Sequence, residues 1–174
     1  MFLTELDVVN RCLASVGMRR LTAQDTLHPA YLGAERTVTA ARLTTLKRGW
    51  WFNRYITTLA PDVTTRQIVV PEYSISVRCA DRNVVASGRY LWNRKYGTQT
   101  FYSPQKVEIV RDFDYEDIPI LAADYIAALA VVEYYNTNAN ADPNTTRLMQ
   151  MKVQDTWRDL YQEEISQERP NSLD

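Results

Sequence analysis

Few residues in this chain have the type and spacing that chemistry requires. The one histidine, His28, directly precedes Pro29 at an expected helix start. No nucleophile or orienting acid lies near it in sequence, so a cap or surface role suits it better than general-base catalysis. Cys12 and Cys79 are the two cysteines, far apart and without a CxxC neighbour or a second histidine. Zinc and thiol chemistry are therefore not expected, and the thiols point to a reducing compartment without disulfides. No GxGxxG or GxxxxGK loop is present to cradle a phosphate. The most enzyme-like run is Asp112-Phe113-Asp114-Tyr115-Glu116-Asp117. Its alternating carboxylates could ligate Mg²⁺ or Ca²⁺ in a metal-dependent hydrolase, but the spacing is not that of an EF-hand loop. A solvated acidic linker is the simpler reading, with Glu116 and Asp117 near the positive end of the next helix. No catalytic residue, metal site or cofactor is expected.

Charge and aromatic content point instead to surfaces. The formal net charge is −1, which argues against tight non-specific DNA binding by the chain as a whole. Locally, Arg78, Arg82, Arg89, Arg94, Lys95, Lys106 and Arg111 stand against Asp81 and Glu108, a net +5. Asp155, Asp159, Glu163, Glu164, Glu168 and Asp174 stand against Arg158 and Arg169, a net −4. The basic segment is interleaved with Tyr90, Trp92, Tyr96, Phe101 and Tyr102. It could form a nucleic-acid-binding module on residues 78–111. A solvated sheet face meeting an acidic partner is preferred. Opposite charge in the two segments also suits head-to-tail or stacked assembly. The 4 Trp and 11 Tyr fit either interfaces or a rich core.

Periodicity and capping signals supply the elements that hold these residues. Thr4 is a good N-cap for a first helix over residues 4–16, with Leu6, Val9, Leu13 and Val16 at helical spacing and Gly17 as its stop. Pro29 opens a second helix running to about Gly49, with an expected buried stripe of Leu32, Val38, Ala41, Leu46 and Trp50. At Gly49-Trp50-Trp51-Phe52-Asn53 the pattern changes to short β-branched and aromatic runs: 55–59, 66–70, 75–79, 90–92 and 107–110. Turn signals, Ser87-Gly88 among them, separate these runs. A third helix follows Ile118-Pro119 and is apolar almost all round, as central helices are. Asp142-Pro143 starts a fourth, reaching about Ser166, with Leu148, Met151, Trp157, Leu160, Tyr161 and Ile165 as its apolar stripe. The expected fold is α+β: a four-helix bundle with an inserted small antiparallel β-rich subdomain and an extended C-terminal tail. Residues 1–52 and 117–166 would form the discontinuous helical body, 53–116 the insertion and 167–174 the tail. The opening residues do not read as a signal peptide, and no apolar run approaches the roughly 20 residues of a membrane span. Assembly in a cytoplasm, away from any membrane, is the expectation.

The order of several segments resembles the tail tubular protein A family, the head-to-tail adaptors of short-tailed bacteriophages. Val9-Asn10-Arg11-Cys12-Leu13-Ala14-Ser15-Val16-Gly17 is similar to the family's opening VNxxLxSIG segment. Arg48-Gly49-Trp50-Trp51-Phe52-Asn53 is similar to the RGWxFN that ends its long helix. Leu59-Ala60-Pro61-Asp62-Val63 resembles LxPD, and Tyr90-Leu91-Trp92-Asn93-Arg94 falls at an aromatic strand. The run from Val110 through Asp117 to Pro119 resembles the RDYDEMP segment ahead of the third helix. The chain departs from the family in a shorter connector, a shorter C-terminal part and fewer residues in the sheet region.

The resemblance implies a non-catalytic virion protein of the tail. Twelve copies would form a homo-oligomeric ring between the portal protein and a nozzle protein of the tail tubular protein B type. Tail fibres would be further partners, and genomic DNA would pass through the lumen without sequence-specific binding. Portal binding falls to Gln167, Glu168, Arg169, Pro170, Asn171, Ser172, Leu173 and Asp174. Nozzle binding falls to Arg89, Tyr90, Trp92, Arg94, Tyr96, Phe101 and Tyr102. Trp50, Trp51 and Phe52 would form the joint between helix and sheet.

Overall fold

A computed structural model describes residues 3–22, 27–139 and 141–168. The chain is α+β, with four helices and a five-stranded antiparallel sheet among the described residues. It divides into two compact units, residues 1–45 with 113–174 and residues 46–112. Among the described residues no helix is long and apolar enough to cross a membrane.

The helical unit begins with α1 (Glu5–Ser15). The Thr4 hydroxyl and Asp7 carboxylate form a reciprocal capping box that satisfies two N-terminal amides. The helix closes at Gly17 (φ +74°), where the Met18 N–H reaches the Leu13 carbonyl and the Gly17 N–H the Ala14 carbonyl. This Schellman closure needs the left-handed conformation that glycine adopts without strain. Buried Asn10 clamps the following connector, accepting from the Leu21 N–H at 2.7 Å and donating to its carbonyl at 3.0 Å. The second helix, α2 (Pro29–Leu46), buries Ala34, Val38, Ala41 and Thr45. Leu32, expected in that stripe, is 38% exposed. Ala34 and Val38, four residues apart, carry the buried face where Leu32 was expected to.

Helix α3 (Ile120–Asn138) packs against both α1 and α4. Its apolar surface has no preferred side because it has neighbours on two sides, and Ala122, Ala123, Ala127 and Ala130 are small enough for close approach. A single 3₁₀ turn at Tyr115–Asp117 precedes it, and the buried Tyr115 hydroxyl donates to the Ala123 carbonyl at 2.6 Å. The last helix, α4 (Pro143–Glu168), starts where Asp142 accepts from the Thr145 N–H at 2.7 Å. It runs two residues beyond the expected end. Its buried positions are Thr156, Leu160 and Glu164. Leu148, Met151, Tyr161 and Ile165, which lie at or near helical spacing in the sequence, are 64, 53, 42 and 38% exposed. The packed face of α4 is partly polar, and these apolar side chains lie off it, Met151 nine residues from Leu160 and so on the opposite side of the helix.

In the other unit the strands are β1 (Arg54–Leu59), β2 (Ser74–Cys79), β3 (Val84–Ser87), β4 (Tyr90–Asn93) and β5 (Gln105–Arg111). Their order across the sheet is β1-β5-β2-β3-β4. The last strand in sequence therefore lies second, paired with β1 on one side and β2 on the other. Strand β3 was missed by sequence reasoning because Val84-Val85 is too short a β-branched run to stand out. It forms a hairpin with β4 through Gly88 (φ +61°) and Arg89. Positive φ at the first of two central residues is the mark of a type II′ turn.

Residues 66–70, expected to be a strand, are not one. Asp62 accepts from the Thr64 and Thr65 amides and turns the chain, and Arg66 adopts φ +59°, outside the extended region. The segment touches β4 at a single bridge, Val69 to Tyr90. It places Ile68 in a core with Val84, Leu91, Phe101, Val107 and Ile109.

Candidate functional site

Strand alternation sorts the aromatic and basic residues of the sheet unit onto two faces. The observed registers place Ile56, Glu108, Arg78, Val85 and Trp92 in one row across all five strands. Tyr90, Ser76, Lys106, Thr58 and Arg54 share that face, which lies opposite the core. Ile56 is 64% exposed, while Tyr90 and Trp92 are half-buried. Arg78 lies 3.7 Å from Glu108, and its side chain remains 81% exposed. A pair this wet holds little energy, so the guanidinium can still take a partner's carboxylate.

The expected nozzle-facing residues divide along this geometry. Tyr90 and Trp92 are on the face opposite the core, and Arg89 is at the adjoining turn. Arg94 donates from its guanidinium to the Arg82 carbonyl, which fixes it against the 81–83 turn. Tyr96 and Tyr102 are 70% and 85% exposed. Phe101 is a correction: it is 4% exposed and belongs to the sheet core. Its N–H donates to the Arg66 carbonyl, so the turn at Arg66 draws the phenyl ring inward.

Trp50, Trp51 and Phe52 occupy the turn between α2 and β1. Trp50 is fully buried, while Trp51 and Phe52 are half-buried and meet edge to face at 5.0 Å. The residue that organises the turn is Asn53, which sequence reasoning left at the edge of a motif. Buried to 1% exposure, its amide donates to the Leu46 and Arg111 carbonyls at 3.0 Å each and its oxygen accepts from the Trp50 N–H at 2.7 Å. An Asn immediately after an aromatic cluster and before a strand was the available signal. Beside it Gly49 has φ +77°, and a Cβ there would fall 2.9 Å from Val110 Cγ2.

Of the expected portal-facing residues, Gln167 and Glu168 finish α4, and exposed Gln167 donates to Glu163 at 2.7 Å. Arg169, Pro170, Asn171, Ser172, Leu173 and Asp174 lie outside the described residues.

The groups first considered for chemistry sit in unpromising surroundings. Exposed His28 accepts at Nδ1 from the Ala30 N–H at 3.2 Å, the contact of a helix cap. Burial pushes the Cys12 thiol up to about 12, far from a reactive thiolate. Burial also raises the Cys79 thiol, with Asp81 adding to the effect. Among the described residues no cluster of three or more His, Cys, Asp or Glu side chains could hold a metal ion.

Comparison with known proteins agrees with the family resemblance. A family described as "Tail tubular protein" matches residues 6–170. "Tail tubular protein A" of Klebsiella phage KP34 is 30% identical over 145 residues, covering 80% of this chain and 76% of that protein. The chain therefore belongs to the tail tubular protein family and is a structural component of a bacteriophage tail.

Proposed function

We propose that the protein is a head-to-tail adaptor that works without catalysis. Copies of it close a ring, twelve by the family resemblance, which joins the portal protein to the tail nozzle and lines the channel through which DNA leaves the head. The observation that carries this reading is the extent of the family match, which begins at residue 6 and ends at 170 and so runs through both units.

Each unit has a part in this reading. The helical unit packs around the ring, and its C-terminal segment from Gln167 to Asp174 reaches the portal. The sheet unit meets the nozzle through Arg89, Tyr90, Trp92, Arg94, Tyr96 and Tyr102. Tyrosine and tryptophan supply large apolar contact at low entropic cost, and arginine supplies directional donors. Phe101 supports that surface from within the core. Tail fibres are further partners, and DNA passes without base-specific contact. Assembly takes place in the host cytoplasm.

The rival reading is a nucleic-acid-binding module on residues 78–111. Two of its cations have partners within the chain: Arg78 is beside Glu108 and Arg94 is on the Arg82 carbonyl. Steeply salt-dependent DNA binding by the isolated chain would favour that module. Electron microscopy of the purified chain mixed with the portal protein tests the adaptor. A ring stacked on the portal is the expected result; a chain that never joins the portal rejects it.

A further inference from the structure

The two edges of the sheet are finished differently. Along β4 the chain covers its own edge. The Leu91 N–H donates to the Ile68 carbonyl at 3.0 Å, the Val70 N–H to the Arg89 carbonyl at 2.8 Å and the Asn93 N–H to the Thr98 carbonyl at 2.8 Å. Among the described residues no segment covers β1 in that way. The Arg111 N–H donates to the Asn53 carbonyl, which fixes the phase of the β1–β5 ladder. Tyr55, Thr57 and Leu59 therefore turn their backbone groups toward β5, and Arg54, Ile56 and Thr58 turn theirs away. The Trp50 carbonyl takes the Arg54 N–H at 3.0 Å. The N–H and C=O of Ile56 and of Thr58 have no hydrogen-bond partner among the described residues.

A sheet edge is ordinarily protected by proline, lysine, a bulge or a covering segment. Strand β1 has none of these. It reads Arg-Tyr-Ile-Thr-Thr-Leu and pairs with β5 at every position without a bulge. Ile56 and Thr58 are exposed, Ile56 to 64%.

The face beside this edge selects the occupant. Exposed Arg54, Lys106 and Arg78 share it with a single carboxylate, Glu108. Backbone groups at strand spacing are met by another extended backbone, and a cationic face is met by carboxylates. The β1 strand of a second copy is a poor match. It would set two cationic faces side by side, and such a two-fold pairing closes at a dimer.

We propose that β1 receives an extended, acidic segment of the partner that the sheet unit meets, which adds a strand to this edge. The contact rests on the nozzle reading above and deepens it to an element and a chemistry. The added strand bonds to the backbone of Ile56 and Thr58, lays an apolar side chain against Ile56 and turns carboxylates toward Arg54 and Lys106.

Amide hydrogen exchange resolved to single residues tests the edge, on the full chain, free and assembled with the portal protein, before and after addition of the nozzle protein. Before addition, the Ile56 and Thr58 amides should exchange faster than those of Tyr55 and Thr57, which are bonded to β5. After addition, Ile56 and Thr58 should slow by about tenfold. Thr58→Pro removes one outward N–H without touching the ladder to β5, so nozzle binding should weaken about tenfold. Thr58→Val keeps the backbone and should bind like wild type. Lys106→Glu leaves the edge intact and should weaken binding about fivefold. A nozzle protein that binds while Ile56 and Thr58 stay in fast exchange overturns the docking strand, as does wild-type binding by folded Thr58→Pro. Wild-type binding by Lys106→Glu overturns the acidic partner. Slow exchange at Ile56 and Thr58 before the nozzle protein is added gives the edge to a second copy or to the portal and overturns the proposal. A nozzle protein that binds neither the free nor the assembled chain overturns the nozzle reading, and the docking strand with it.

Discussion

Asn53 illustrates how much a single side chain can hold in this protein. Its amide spans the end of α2, through the Leu46 carbonyl, and the end of β5, through the Arg111 carbonyl, while its oxygen takes the Trp50 N–H. Removing the amide leaves three backbone groups without that partner in a site closed to water. Asn53→Ala is expected to cost about 2–4 kcal/mol, and thus to lower the melting temperature on the order of 5–10 °C. Asn53→Asp keeps the shape but cannot donate to either carbonyl, so it should lose a comparable amount. Thermal melts of the two variants check this, and a melting point within a degree of wild type for either would remove Asn53 from its proposed role. At this scale the sequence was partly legible. The Trp50 indole is fully buried at the turn between α2 and β1, where a large apolar ring between a helix signal and a strand signal gains most from leaving water. Phe101 was misjudged because nothing in its own neighbourhood distinguishes it from exposed Tyr96 and Tyr102.

The elements are governed by their caps, and the caps carry a pH dependence. The Thr4 hydroxyl, and then its backbone N–H, donate to the Asp7 carboxylate and hold its pKa below the usual value; Arg20, at 3.1 Å, adds to this. A carboxyl with a lowered folded pKa stabilises the fold above its unfolded pKa of about 4. That contribution is lost as pH falls through the lower folded value. Asp62 and Asp142 are lowered in the same way by their Thr partners and act in the same window. Wild-type melting temperature should therefore fall below about pH 4 more steeply than that of Asp7→Asn, which has no charge at this position to lose. Parallel slopes for the two proteins would show that the α1 cap contributes no proton-linked stability.

At the scale of the molecule, the prediction concerns where binding ends and folding begins. Helix α4 is continuous to Glu168, so a truncation after that residue leaves every described helix whole. The shortened chain should melt like wild type, keep its circular dichroism and fail to join the portal in a pull-down. Portal binding at wild-type strength would refute the role assigned to the C-terminal segment.

The sequence by itself determined the type and order of most elements and the family to which the chain belongs. Helix starts at Thr4, Pro29 and Asp142-Pro143, the stop at Gly17 and the hairpin turn at Gly88 all rest on hydrogen bonds and backbone preferences within a few residues, so they are written where they act. Only the tertiary structure decided which side chains face outward. Strand β5, last in sequence, inserts between β1 and β2, and that distant pairing aligns Ile56, Glu108, Arg78, Val85 and Trp92 in one row. Likewise, α4 turns Thr156, Leu160 and Glu164 toward its neighbours and leaves Met151, Tyr161 and Ile165 at the surface. Hydrophobicity sets which residues gain from burial, but packing between elements far apart in the chain sets which of them achieve it.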